Sequence, residues 1–273
     1  MYGSARLADV LDLDAAIARC KAYRRRILEV SQQVPALHIG GAFSSVELVD
    51  ALYNELMRNP GLSSPDTFVL SKGHGCMIQY AVLESLGILK RSDLEDYSTA
   101  RGQLGVHPDY GNPGIEASTG ALGHGLSMVV GMALANRING NDGIIYTVLS
   151  DGEVQEGSTW EATLMATSLA LGNVVAFIDY NQMVSIGPIA DLHPHFYPLV
   201  EKFRAFGWEC VEIDGHDTRQ ICEAVRGRSG SRPMMVIART VKGKGVSYME
   251  NVPMWHYRSP NKNELALAMQ ELE

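Results

Sequence analysis

Two short segments of this chain each set a hard oxygen donor at the end of an apolar run: Ser150-Asp151-Gly152 and Asp179-Tyr180-Asn181. Asp151 and Asn181 stand thirty positions apart, about the length of a β-α-β unit. The preceding runs, Ile144 to Leu149 and Val174 to Ile178, have strand length, and Trp160 to Leu171 supplies a crossover helix between them. One crossover would set the two side chains side by side at the carboxyl ends of parallel strands, where doubly wound sheets hold ligands. Alone, an Asp-Gly or an Asn after a strand is a turn or cap residue; the pair at this spacing is a candidate ligand set. Mg²⁺ takes near-octahedral oxygen coordination and is usually shared between one or two carboxylates and ligand phosphates. An Asp, an Asn and a backbone carbonyl would leave room for a diphosphate, and Gly152 would let it approach the main chain.

The elements that must position these residues follow from periodicity. Leu7 to Val30 and Ser45 to Met57 repeat as amphipathic helices with a polar segment between them. Thr67 to Leu70 is a short strand entering the tight turn Ser71-Lys72-Gly73-His74-Gly75, and Met77 to Leu86 continues as a helix. Tyr97 to Gly123 is rich in Gly, Pro, Asp and Asn and too long for an ordinary connection, which marks it as a site candidate. Leu122 to Asn136 repeats as a buried helix. Beyond Asn181 the alternation continues with a helix around Tyr197 to Phe206, a strand at Glu209 to Ile213, a helix at Arg219 to Arg226 and a strand at Met234 to Ala238. The expected fold is α/β, a doubly wound and mostly parallel sheet with helices on both faces. No linker divides residues 1–273, so one domain is expected.

Composition sets outer bounds. At 273 residues, with 46% hydrophobic and 20% charged residues, the chain can bury a substantial core. A net charge of −8 argues against a general nucleic-acid or anionic-membrane surface, so any anion must be held by local geometry. No run reaches a membrane span, and the start MYGSARLADVLDLD has no signal-peptide pattern, so a cytoplasmic protein is expected. Cys20, Cys76, Cys210 and Cys222 lack metal or redox spacing and read as free buried thiols.

The segment S-D-G-E-V-Q-E-G-S-T-W-E-A-T-L, closed by D-Y-N-Q-M-V-S-I-G, resembles the thiamine diphosphate motif, which usually begins Gly-Asp-Gly and ends in Asn. Within that superfamily the chain resembles the transketolase family. L-S-K-G-H-G (70–75), V-H-P-D (106–109), G-I-E-A-S-T-G-A-L-G-H-G-L-S (114–127) and W-H (255–256) match in order, over roughly residues 35–260. The resemblance implies the thiamine diphosphate-binding fold, with Mg²⁺, or Ca²⁺ or Mn²⁺ in its place, held by Asp151, Asn181 and the Met183 carbonyl. It places Gly152 and Glu153 at the cofactor, His74 and His256 at the diphosphate or reaction centre, and Gly120, Ala121, Leu122 and Gly123 along the cofactor. His38 is implied in proton transfer, His107 in bonding the transferred two-carbon unit, and Glu156 in bridging the two active sites of a dimer.

The family's reaction moves a two-carbon ketol unit from a ketose to an aldehyde. Such a transfer removes a hydroxyl proton and returns one to an aldehyde oxygen, work suited to histidine at neutral pH. Of eight histidines, His74, His107, His124 and His256 fall in the matched blocks. His193, His195 and His216 read as surface or satisfied core residues. Met128, Met132 and Met165 read as core filler. Lys21 with Arg24 to Arg26 reads as a solvated helix face or subunit contact. Lys242 and Lys244 fit either a phosphate contact or a flexible loop. Three departures from the family pattern stand out: Ser150 for glycine, Ile186 for an acidic residue, and Tyr257-Arg258 for a small residue and a lysine.

Only the diphosphate-binding half is matched, and the chain ends at Glu273 soon after Trp255-His256. The pyrimidine-binding domain is therefore expected on a separate C-terminal subunit, in an α2β2 heterotetramer. The rival readings are the alpha subunit of a 2-oxo acid dehydrogenase and a non-catalytic cofactor-binding subunit.

Overall fold

Alternate residues of each central strand feed two separate cores, and that division builds the molecule. A computed structural model describes residues 11–61 and 64–273. Five strands, β1 (Thr67–Leu70), β2 (Ile145–Ser150), β3 (Val174–Tyr180), β4 (Glu209–Asp214) and β5 (Met234–Arg239), form one sheet in the order β1-β2-β3-β5-β4. Every pairing is parallel. Successive side chains point to opposite faces. Tyr146, Val148, Val175, Phe177 and Val236 therefore join one core, and Ile145, Leu149, Val174, Ala176 and Ile237 join the other.

The first core lies under α1 (Leu13–Ser31), α2 (Ile39–Ser44), α3 (Val46–Ala51), α4 (Cys76–Ser85) and α10 (Thr218–Arg226). The second lies under α6 (Gly125–Ile138), α7 (Gly157–Ser168) and α9 (Leu199–Ala205). Short helices α5 (Arg91–Glu95) and α8 (Ile189–Leu192) and a last helix, α11 (Lys262–Glu271), complete the described elements. Burial on both faces explains why the strands read as continuous apolar runs. The expected α/β fold, with its parallel sheet and helices on both faces, is what the structure shows.

Local boundaries differ in instructive ways. Leu7 to Val10 of the first expected helix lie outside the described residues; α1 begins at Leu13, with the Asp12 side chain accepting from the Ala15 N–H at 3.0 Å. The segment expected to be polar before Ser45 contains α2, every residue of which is buried. Its Ile-Gly-Gly-Ala-Phe sequence is too glycine-rich to show helical propensity; packing supplies the stability. The expected helix from Ser45 to Met57 is α3 followed by a π-type turn, Leu52–Leu56.

Arg24 corrects the reading of a solvated basic face. It is buried, bidentate to Glu47 at 2.7 and 2.9 Å, and donates to the Phe43 carbonyl at 3.1 Å. Met128 and Met165 correct the reading of core filler: they are 38% and 49% exposed, whereas Met132 packs against the second core. The four cysteines are free and buried, as expected.

Candidate active site

The parallel register brings the two motif segments together. Ser150 pairs with Asp179 across β2 and β3, and Asp179 pairs with Ala238 of β5. Asp151 and Asn181 then emerge at the same carboxyl edge. Asp151 is fully buried; its carboxylate accepts from the Gly152 N–H at 2.9 Å and from the Gln182 N–H. Burial, reinforced by the negative charge of Asp179, pushes its pKa up to about 7. Asn181 accepts from the Met183 N–H through Oδ1 at 3.1 Å and donates through Nδ2 to Asp179 at 3.1 Å.

Over this edge lies a cleft of about 340 Å³, walled by four histidines from four separate segments. His38 precedes α2, His74 sits in the turn Gly73–Gly75 after β1, His107 comes from the long loop, and His256 ends the turn Pro253–His256. The His38 ring centroid lies 5.5 Å from that of His74, 5.3 Å from His256 and 6.2 Å from His107. Burial, with the neighbouring His107 and Lys242, lowers His38 to about 4. Burial also lowers His256 to about 4, with help from Lys242, and puts His74 well below its ordinary range. At neutral pH these three rings are uncharged.

Close backbone approach makes the cleft. Gly73 lies so near the long loop that an added Cβ would come within 2.7 Å of the Gly120 nitrogen. Gly120 has φ +134°, and an added Cβ would meet the His107 ring at 2.5 Å. Larger residues at either position would push the histidine-bearing segments apart.

Some expected contacts line the cleft and others support it. Gly120, Leu122, Gly152, Asn181 and Met183 face it. Glu153 does not: it is fully buried, and its carboxylate accepts from the Ser71 hydroxyl at 2.5 Å and the Gly123 N–H at 2.9 Å, with the Ser150 N–H at 3.4 Å. Ala121 and Glu156 are exposed, Glu156 at the start of α7 beside Gly123. Ser150 turns its hydroxyl to the Glu153 N–H at 3.0 Å, a use for a side chain where the motif usually has none. Ile186 is exposed, and Arg258 is occupied by Glu264 at 2.7 Å and by the Trp255 ring, 4.3 Å from its centroid. Tyr257 packs against His38 with centroids 4.5 Å apart.

Sequence reasoning left two central residues unremarked. Lys72, fully buried, donates to Asp179 and to the Gly41 carbonyl at 2.6 Å. Asp179, also fully buried, would be raised by that burial, but the Lys72 ammonium and the Ser44 and Thr240 hydroxyls hold it below its ordinary value. The available signals were a lysine inside the Ser71–Gly75 turn and a carboxylate ending an apolar strand. Lys242, left open in sequence, is buried here, 3.5 and 3.3 Å from the Met183 and Val184 carbonyls. Burial, with Lys72 nearby, lowers it to about 8. Lys244 instead lies 3.6 Å from Glu250. Of the histidines set aside, His193 and His195 are exposed, while His216 contacts Glu47 at 2.8 Å and accepts from the Val241 N–H at 2.9 Å.

These donors fit a divalent cation with a diphosphate. One carboxylate, one amide oxygen and one carbonyl suit a hard cation, Lys242 adds positive charge beside them, and the buried His256 Nδ1 has no hydrogen-bond partner among the described residues. A larger groove, about 810 Å³, runs between Trp160, Leu192, Pro194 and Phe206. It is open and mostly apolar and contains none of these donors, so the histidine cleft is the site.

Comparisons with known proteins give the family. The family described as transketolase, thiamine diphosphate binding domain, matches residues 17–272. An apulose-4-phosphate transketolase subunit of Actinobacillus succinogenes is 36% identical over 96% of this chain and 98% of that protein. The 6-deoxy-6-sulfo-D-fructose transketolase subunit SqwG of a Clostridium species is 38% identical over 92% of this chain and 93% of that one. Among solved structures, Campylobacter jejuni transketolase superposes with a TM-score of 0.89 at 25% identity, over 96% of this chain and 43% of that one. The chain thus spans less than half the length of that solved transketolase but nearly all of the relatives named as subunits.

Proposed function

Because the chain belongs to the transketolase family and carries its thiamine diphosphate-binding domain, we propose that it is the diphosphate-binding subunit of a two-chain transketolase. The reaction is transfer of a two-carbon ketol unit from a ketose to an aldehyde. Convergence of His38, His74, His107 and His256 over the Asp151–Asn181 edge carries this reading. The relatives' designations as subunits support a companion chain; one domain over residues 1–273, an α2β2 assembly and a place in the cytoplasm belong to the same proposal.

Asp151, Asn181 and the Met183 carbonyl would hold Mg²⁺, and Gly152, Lys242, His74 and His256 would face the diphosphate. Thiamine diphosphate, when bound, supplies a carbanion equivalent at its thiazolium carbon. The chain's own part is orientation and proton transfer. Neutral His38 accepts a hydroxyl proton from the ketose, His107 orients the two-carbon unit, and the buried walls keep water from the reacting atoms. Glu156, exposed at the start of α7, would meet another subunit. The family match sets aside the 2-oxo acid dehydrogenase reading.

Asp151→Ala tests the assignment. Loss of the carboxylate leaves the cation short of a ligand and the diphosphate insufficiently neutralised. Calorimetric titration of thiamine diphosphate with Mg²⁺ is expected to show binding abolished, and ketol transfer with the companion chain should vanish. Unchanged affinity would remove Asp151 from the site.

A further inference from the structure

Asn181 offers the cation an amide oxygen only if its side chain is held the right way round, and the structure shows what holds it. Its Oδ1 accepts from the Met183 N–H at 3.1 Å and its Nδ2 donates to Asp179 Oδ2 at 3.1 Å, so the backbone holds one end of the amide and Asp179 the other. Asp179 is itself fixed by four donors: the Lys72 ammonium, the Ser44 hydroxyl at 2.6 Å, the Thr240 hydroxyl and Asn181. These donors come from four parts of the fold: the turn after β1, the end of α2, the segment after β5, and Asn181 just beyond β3. Lys72 and Asp179 are both fully buried.

Resting on the cation-site reading above, we propose that Asp179 is a positioning residue that fixes the orientation of Asn181 and so sets the affinity for the divalent cation. The charge arrangement supports the same division of labour. Two buried carboxylates, Asp151 and Asp179, stand at neighbouring strand ends, and two negative charges at that depth repel. Lys72 pairs with Asp179, whereas the Asp151 carboxylate accepts only backbone N–H groups among the described residues and so keeps its charge for a cation. Lys72 also grips the Gly41 carbonyl in α2, so the same ion pair holds the helix that His38 precedes against the cation edge. Outer partners of this kind govern affinity because a ligand that must first be reoriented binds at a cost.

The test separates orientation from charge and from folding. Two double variants remove the ion pair without leaving a lone buried charge: Lys72→Met with Asp179→Asn, and Lys72→Met with Asp179→Leu. In the first, the new amide oxygen still accepts from Asn181, and its NH₂ can donate to the Thr240 hydroxyl, which accepts as readily as it donates. In the second, Asn181 has no acceptor there. Mn²⁺ serves as the probe, with free and bound ion measured by electron paramagnetic resonance on the full chain at saturating thiamine diphosphate, and thermal melts establish folding. The Leu variant is expected to bind Mn²⁺ about 10–100-fold more weakly, with a changed bound-ion line shape, while the Asn variant stays within about threefold of wild type. Equal affinities in two folded variants overturn the proposal. If either variant fails to fold, Ser44→Ala with Thr240→Val, which loosens Asp179 but keeps the ion pair, takes its place; unchanged Mn²⁺ affinity there is equally fatal. Absence of any wild-type signal above that of Asp151→Ala would defeat the cation-site reading itself, and the inference with it.

Discussion

Three of the four cleft histidines owe their neutrality to burial and to neighbouring positive charge, and this has a consequence for stability. An unfolded histidine titrates near its ordinary value of 6.5, whereas His38 and His256 in the fold titrate near 4. Between those values the unfolded chain binds more protons than the folded one. Their contribution is therefore intact above about pH 6.5 and is lost progressively as pH falls toward about 4. Urea midpoints at about pH 7.5 and about pH 5 should show this loss, and a His38→Asn, His256→Asn double variant should show a smaller one. Equal losses in the two proteins would mean that other groups carry the pH dependence. His107 tests chemistry instead. His107→Ala should slow ketol transfer by about 10²-fold or more while thiamine diphosphate binding survives, and normal steady-state turnover would reduce the residue to a structural part.

At the scale of elements, the strands were legible because their apolar runs are uninterrupted. Asp151 and Asn181 were legible because one β-α-β crossover fixes their spacing. The supports beneath them were not. Lys72 and Asp179 lie 107 positions apart, and no local pattern announces such a pair. The α2 helix was hidden for a different reason, since Gly40 and Gly41 remove the propensity signal and leave tertiary packing to decide. Glu153 illustrates the same limit. Its motif position implied a cofactor contact, but the fold uses its carboxylate to tie the end of β2 and the β1 turn to Gly123. Glu153→Ala strands a buried hydroxyl and a buried N–H at once, so urea unfolding should show a loss of about 3 kcal/mol. A loss under about 1 kcal/mol would mean that water or a neighbour replaces the carboxylate without difficulty.

For the whole molecule, the question is which surface the companion chain covers. Strands β2 and β3 bury both faces, yet the two helices beside them, α6 and α7, keep apolar side chains in the open. Leu164 is 53% exposed and Met165 49%, with Met128 and Ile138 exposed on α6. Small residues lie among them: an added Cβ at Gly131 meets nothing within 4 Å, and Ala135 is exposed. Both helices start near the cleft: α6 begins just after the Gly120–Gly123 loop, and α7 begins just after Glu156, which lies beside Gly123. A chain supplying the rest of a transketolase has to reach the cleft mouth, so the α6–α7 face is the surface it would cover on the way. Isolated, the subunit should bind thiamine diphosphate weakly and turn over no substrate; the companion chain should restore both. Leu164→Glu with Met165→Glu should leave the isolated chain folded, since both side chains are already exposed, yet weaken assembly by at least about tenfold by burying charge in the interface. Sedimentation with the companion chain measures this, alongside ketol transfer. Undiminished assembly would move the interface elsewhere on the surface, and robust turnover by the isolated chain would remove the need for a companion altogether.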